Sequence, residues 1–329
     1  MRFKIQKWIG MLWIVVCLGG CAQAPGQKLA LEPAAADKIN VVTTLFPYYD
    51  FARQIAGDQL ELTMVIPAGM DSHSFEPTPA DILTIRNADI LVCNGGEMEQ
   101  WLEQVLEAID PSGMTVLSMM DYVDTVEEEQ VEGMEHVHDA HHAHATHEAQ
   151  SDIEYDEHIW TSPVNAMKIV RVLSDTLQQA DAANRDLYET NTRRYLSELE
   201  QLHQDFLQVV KDEKRNLIII GDKFPFRYLA DTYGFFYRAA FSGCSTDTEP
   251  SAKTIAYLID QVREQQIPVI YYPELSSHRV AEIICEETGA KPLLLHSCHN
   301  VSRAEFDGGI TYLELMKQNA ENLRKGLDE

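Results

Sequence analysis

Apolar positions along this chain follow two alternating rhythms. From about residue 38, short β-branched and aliphatic runs (INVVTTLF, ELTMVIP, DILVCNG, MTVLSM) alternate with YYDFARQIAG, PADILTIRNA and EQWLEQVLEAI, whose apolar residues recur at helical spacing. Runs of the first kind predict strands and those of the second predict helices. The pattern stops near residue 124. From there to about 154 the chain is acidic and rich in histidine, with no apolar period, which predicts a long mobile loop. SPVNAMKIVRVLSDTLQQA then predicts a helix, with Ser162 as N-cap and Pro163 in its first position.

A longer helix is predicted from 183 to 214. Leu187, Tyr195, Leu196, Leu199, Leu202, Phe206 and Val209 form its apolar stripe. Alternation resumes with the strands NLIIIG, FFYRAAF, PVIYYPE and KPLLLH, separated by the helices RYLADTYG, TIAYLIDQVREQQ and HRVAEIICEETG. TYLELMKQNAENLRKGL closes the chain as a helix. Strands alternating with helices imply parallel sheets flanked by helices. The expected fold is α/β, with two similar lobes (38–182 and 215–329) joined by a long rigid helix, 183–214. Ligands of such sheets bind beyond the carboxyl ends of the strands, so a shared site would lie in the cleft between lobes.

The first 20 residues depart from this scheme. Arg2, Lys4 and Lys7 precede an apolar run from Trp8 to Gly20, too short to span a bilayer and flanked like an export signal. It ends in Leu18-Gly19-Gly20-Cys21, which resembles the lipobox of bacterial lipoproteins; the competing reading is an ordinary cleaved signal. The resemblance implies a lipid on Cys21 and a flexible tether over 21–37. The mature protein is then expected outside the cytoplasm, on the outer face of the cytoplasmic membrane or in the periplasm.

Charge and cysteine usage narrow the function. A formal charge of −26 excludes the basic surface that nucleic acids require and suits attraction of cations. Cys93 and Cys285 fall in apolar patterns and read as buried thiols. Cys244 and Cys298 lie in polar loops. In an oxidising compartment they are candidates for a disulfide, and a pair of thiolate metal ligands is the alternative.

Histidine is the chemistry-bearing residue. Six of the 12 histidines (His136, His138, His141, His142, His144, His147) lie in the acidic loop, a composition that points to accessory, low-affinity metal binding. The others are dispersed. His73 and His158 occupy loops, and His296 ends a predicted strand. His203 sits in the long helix and reads as a surface residue, while His278 sits in a helix-capping region. His299 is open to either a ligand or a structural role.

The strings GMDSHSFEPTPAD and DEHIWTSPVNA resemble two motifs of the substrate-binding proteins of ABC transporters that import zinc or manganese (the cluster A-I family). The matching residues are His73, Phe75, Glu76, Pro77, Thr78 and Pro79, then His158, Trp160 and Pro163, with an acidic His-rich loop between them as in the family's zinc-binding branch. Phe46-Pro47 and Tyr312, Met316 and Asn319 extend the resemblance over the mature chain. It implies a metal held between two lobes, with His73 and His158 as ligands.

The family's third ligand falls at Lys223 in an ungapped register, and an ammonium cannot bind metal. Asp222, next to it, is the candidate, with a loop-capping carboxylate as the alternative. For the fourth ligand His296 is expected in place of the family's carboxylate. Glu76 is a candidate for orienting a ligand imidazole or for capping its own turn, and Asp156 and Glu157 are similar candidates beside His158. Three histidines and a carboxylate suit tetrahedral Zn²⁺ more than Mn²⁺.

The expected function is high-affinity zinc capture, by a monomeric non-enzyme, for delivery to an ABC permease. A manganese-binding homologue, a secreted zinc metallohydrolase and a surface adhesin or zinc store are the alternatives; no HExxH string supports the hydrolase.

Overall fold

Eight short strands build two parallel sheets of the same topology. The first contains β1 (Ile39–Thr43), β2 (Leu60–Met64), β3 (Ile90–Cys93) and β4 (Thr115–Ser118), in the order β2-β1-β3-β4. The second contains β5 (Leu217–Phe224), β6 (Phe236–Ser242), β7 (Val269–Tyr272) and β8 (Lys291–Leu294), in the order β6-β5-β7-β8. In each sheet the chain reverses its direction of strand addition beside the first strand. That switch point opens a crevice at the carboxyl ends. The structure is a computed structural model; it describes residues 38–134, 154–245 and 249–328. The export signal, the tether with Cys21, and the tract His136 to His147 lie outside the described residues.

The first lobe's helices are α1 (Phe46–Ala56), α2 (Pro79–Arg86), α3 (Gln100–Ala108) and α4 (Pro163–Ala180). Ser162 caps α4, accepting from Asn165 N–H with Pro163 in the first turn. The long helix is α5 (Arg185–Asp212). Its buried face is Tyr188, Thr192, Tyr195, Leu199, Leu202, Phe206 and Val209. Leu187, expected on that stripe, is exposed, and Tyr188 takes the inward position. The second lobe adds α6 (Arg227–Tyr233), α7 (Ala252–Gln265), α8 (Arg279–Thr288), α9 (Arg303–Asp307) and α10 (Tyr312–Asp328).

One hydrophobic core links the lobes. It runs from Val41, Leu91 and Val92 of the first sheet, through Phe51, Leu173, Leu199 and Phe206, to Ile220 and Tyr271 of the second. A smaller core lies between the second sheet and the α7–α8 layer, around Ile219, Leu258, Ile270 and Ile284. Opening the lobes against α5 would therefore disrupt close-packed apolar contacts, which interiors resist. No helix among the described residues is long and apolar enough to cross a membrane.

The acidic segment differs from its expectation as a mobile loop, because its first part is packed. Glu127 pairs antiparallel with Tyr155. Glu128 accepts from Gly243 N–H (2.9 Å) and Glu129 from the Tyr237 hydroxyl (3.1 Å). Met134 is buried. Gly133, at φ +93°, lies so close to the Tyr257 ring that a Cβ there would sit 2.1 Å from it. These contacts bring the stem of the histidine tract onto the second lobe, beside Asp156.

Candidate metal centre

Each lobe sends loops from its strand ends into the cleft. From the first lobe, the chain after β2 forms a single helical turn, Ser72–Ser74, in which Asp71 accepts from His73 N–H (3.2 Å). That cap fixes the backbone under His73. His158 ends the segment that leaves the acidic stem, where Asp156 Oδ1 accepts from its backbone N–H (2.8 Å). From the second lobe, the loop after β8 carries His296 to Asn300.

Three imidazoles converge. The ring centroids of His73, His158 and His299 are 6.1, 5.6 and 5.7 Å apart, taking His73–His158, His73–His299 and His158–His299 in turn. One ring nitrogen from each falls within 4.8 Å of the other two, the spacing of donors around a single ion. His158 is fully buried, whereas His73 and His299 are half-buried and face a cavity of about 300 Å³.

Trp160 forms the floor, with its ring centroid 5.6 Å from His158 and 5.5 Å from His299. Its indole N–H donates to Ser297 O (2.7 Å), and its carbonyl accepts from the Tyr312 hydroxyl (2.7 Å), tying the two lobes beneath the cluster. Asn300 donates to the carbonyls of Pro67 and Met70 (2.8 Å each), and Ser72 contacts the His299 ring. The His299 loop is thus latched to the first lobe.

His299 stands where His296 was expected. The physical reason is a turn. His296 exchanges hydrogen bonds with Asn319 through both its N–H and its carbonyl (2.7 Å each), and its Nδ1 accepts from Cys298 N–H (2.9 Å). These bonds hold the ring inside the protein. Cys298 then adopts φ +60°, which turns the chain so that the next residue faces the cleft. Asn300, the latch of this loop, was not singled out from the sequence; its place directly after His299 in the loop beyond β8 was the available signal.

Asp222 lies on the cavity wall, outside the imidazole cluster. A register shift in β5 between Ile220 and Lys223 sets its position, and Gly221 permits it: a Cβ there would meet the Ala281 backbone at 2.7 Å. Both carboxylate oxygens are engaged, one by Lys223 N–H (2.8 Å) and one by the Ser276 hydroxyl (2.5 Å). Glu76 is exposed. The carboxylate that faces one of the clustered rings is Asp156, whose Oδ1 lies 3.2 Å from His158 Nδ1. Cys244 and Cys298 are free thiols, so the expected disulfide is absent. Cys244 sits beside Asp156 and His158, and Cys298 is sealed in the core under His296. His203, expected at the surface, is half-buried with Nδ1 2.9 Å from the Tyr233 hydroxyl. His278 begins α8 in the left-handed region, stacked 4.1 Å from Tyr272.

The electrostatics separate the three imidazoles. Burial first, then the charge of His158, pushes the His73 pKa down to about 4. Burial and the other two imidazoles hold His299 well below its ordinary value. Burial would also lower His158, but the charge and hydrogen bonds of Asp156 overcome it and raise the pKa. Behind Asp156 the Glu128 carboxyl, buried and facing a second carboxylate, is pushed up to about 7. Two of the imidazoles are thus kept as neutral lone-pair donors. The third is held with Nδ1 toward a carboxylate, which leaves Nε2 as its donor once deprotonated.

Two parallel sheets braced by a long helix, with three imidazoles facing a shared cleft, define a two-lobed α/β substrate-binding protein for a metal ion. The family described as the periplasmic component A of the zinc-uptake complex matches residues 41–326, and the chain belongs to that family. It is 32% identical over 325 residues to the high-affinity zinc uptake system protein ZnuA of Bacillus subtilis, covering 98% of both chains. It is 30% identical to the zinc-binding lipoprotein AdcA of Streptococcus pneumoniae, where the match covers 98% of this chain and 62% of that longer protein. The solved Zn(II)-bound ZnuA-like domain of AdcA from Streptococcus pneumoniae superposes with a TM-score of 0.71 at 27% identity, over 89% of this chain and 100% of the domain.

Proposed function

We propose that the chain captures Zn²⁺ outside the cytoplasmic membrane on His73, His158 and His299 and delivers it to the permease of an ABC importer. A lipid on Cys21 would anchor it there. The observation that carries this reading is the imidazole triangle, with one nitrogen of each ring within 4.8 Å of the others. Nitrogen donors at this spacing suit Zn²⁺, whose Zn–N bonds are ~2.0–2.1 Å, better than the oxygen-preferring Mn²⁺.

Function follows from the division of labour among the residues. Neutral His73 and His299 need no deprotonation before they bind. Asp156 orients His158 and balances part of the incoming charge. Trp160 and the Asn300 latch hold the two lobes in register around the ion. The shared core and α5 resist wide opening, so capture requires little lobe movement, and release requires contact with the permease.

Competition titration with a chromophoric zinc chelator tests the ligand set. Wild type takes up one tight Zn²⁺ per chain. His73→Ala, His158→Ala and His299→Ala each weaken it by 100-fold or more, on the order of the loss of a direct ligand, whereas His296→Ala and Asp222→Ala stay within about tenfold. Tight binding that survives His299→Ala and vanishes in His296→Ala overturns the assignment.

A further inference from the structure

Among the described residues the three-histidine centre has no fourth protein ligand: no carboxylate or thiol joins His73, His158 and His299 within donor spacing of one ion. The carboxylates on the cavity wall are already engaged. Asp222 accepts from Ser276 and from Lys223 N–H, and Glu274 accepts from both the N–H (2.6 Å) and the hydroxyl (2.5 Å) of Ser297. Asp71 is exposed and caps the His73 turn.

The cavity wall also carries an ammonium. Lys223 lines the same cavity as the imidazoles, half-buried, and its charge is felt at both His73 and His299. Among the described residues its side chain forms no ion pair with a carboxylate. A dication on three neutral donors beside this ammonium gathers three positive charges on one side of the cleft; Asp71, Asp156, Glu128 and Glu157 act on these rings from the protein side, and none of them joins the three-histidine cluster. Tetrahedral zinc with three protein ligands keeps one position open. The cavity of about 300 Å³ is far larger than an ion needs. It is roughly ten times the volume of one water molecule, which is room for a small organic anion.

Resting on the zinc reading above, we propose that the cleft takes Zn²⁺ together with a small carboxylate anion, one oxygen of which fills the fourth position on zinc while Lys223 holds its charge. The cargo recognised at this site is then a zinc–carboxylate pair rather than the bare ion. An ammonium at this position has a selective role in such a pair: it opposes naked cations and favours those that arrive with an anion.

Acetate is the probe. Zinc affinity is measured in perchlorate buffer at constant ionic strength while acetate replaces perchlorate, and Co²⁺ loaded into the same site reports the fourth ligand through its visible spectrum. Wild-type affinity rises roughly tenfold by about 50 mM acetate, as mass action requires for an anion that binds only the loaded site in the millimolar range, and the Co²⁺ bands shift with the same midpoint. Lys223→Met abolishes the acetate response and binds zinc more tightly than wild type in acetate-free buffer, because a repelling charge has gone. Lys223→Arg keeps the response. A flat wild-type response, or an undiminished one in Lys223→Met, overturns the proposal while leaving zinc capture intact. Failure of wild type to bind zinc in either buffer overturns the zinc reading itself, and the proposal with it.

Discussion

Replacing Asp156 with asparagine probes the centre without touching a ligand. Asp156 Oδ1 accepts from the His158 backbone N–H at 2.8 Å and faces Nδ1 at 3.2 Å, both within the buried interior. Asparagine preserves the shape but removes the charge that orients and enriches the imidazole. Losing such an outer partner costs about 10–100-fold in metal affinity, equivalent to about 1.4–2.8 kcal/mol. A second effect has the opposite sign at the proton. Asp156 is what raises the His158 pKa against burial, so in Asp156→Asn burial prevails and the pKa falls below the ordinary value near about 6.5. Below the His158 pKa wild type then releases a proton on binding zinc, and at the same pH the variant releases fewer. Calorimetry in buffers of different ionisation enthalpy reads the proton count, chelator competition reads the affinity, and a thermal melt confirms folding. Wild-type affinity and an unchanged proton count in a folded variant would refute the role given to Asp156.

Three further outcomes follow from the same geometry. Because His73 is pushed down to about 4 and His299 is also lowered, while His158 is raised, the logarithm of zinc affinity should fall by one unit per pH unit below the His158 pKa and steepen only near pH 4; titration across pH 4–8 showing a slope near three from pH 6.5 downward would contradict this. A Cβ on Gly243 would lie 2.8 Å from Phe224 O, 3.0 Å from Asp156 Oδ2 and 3.2 Å from His158 Cε1, so Gly243→Ala should cost about 1–3 kcal/mol of stability in denaturant melts and weaken zinc binding as well; an unchanged melt counts against the packing described. Deleting 136–147 should remove weak additional zinc sites and leave one tight site, as equilibrium dialysis would show; loss of the tight site would move the centre into the tract.

The alternation of strands and helices was legible because each element carries its own period. INVVTTLF and NLIIIG could only be buried strands of a parallel sheet, and the two sheets repeat one topology. Boundaries governed by packing were less visible: Leu187 and Tyr188 are both apolar, and only the neighbours of α5 decide which turns inward. At the site, His73 and His158 were readable because each sits in a distinctive string. His299 was not, because the preference for His296 rested on distance from the strand end. A left-handed Cys298 and Asn319, 23 residues beyond the His296 it holds, decide which ring faces the cleft, and neither leaves a local pattern. Asp156 was visible only as a neighbour of His158, since its role depends on the backbone folding it back beneath the ring. The cysteine pairing failed for a similar reason. Cys244 and Cys298 both sit in polar-looking loops, but one lies beside Asp156 and the other in the core.

The central claim is that one zinc ion sits among His73, His158 and His299, and it is tested most directly by anomalous diffraction at the zinc edge from crystals of the zinc-loaded protein. A single strong peak at ~2.0–2.1 Å from one ring nitrogen of each of these three histidines is the predicted result. A peak bonded to His296, or confined to the tract between His136 and His147, would contradict it.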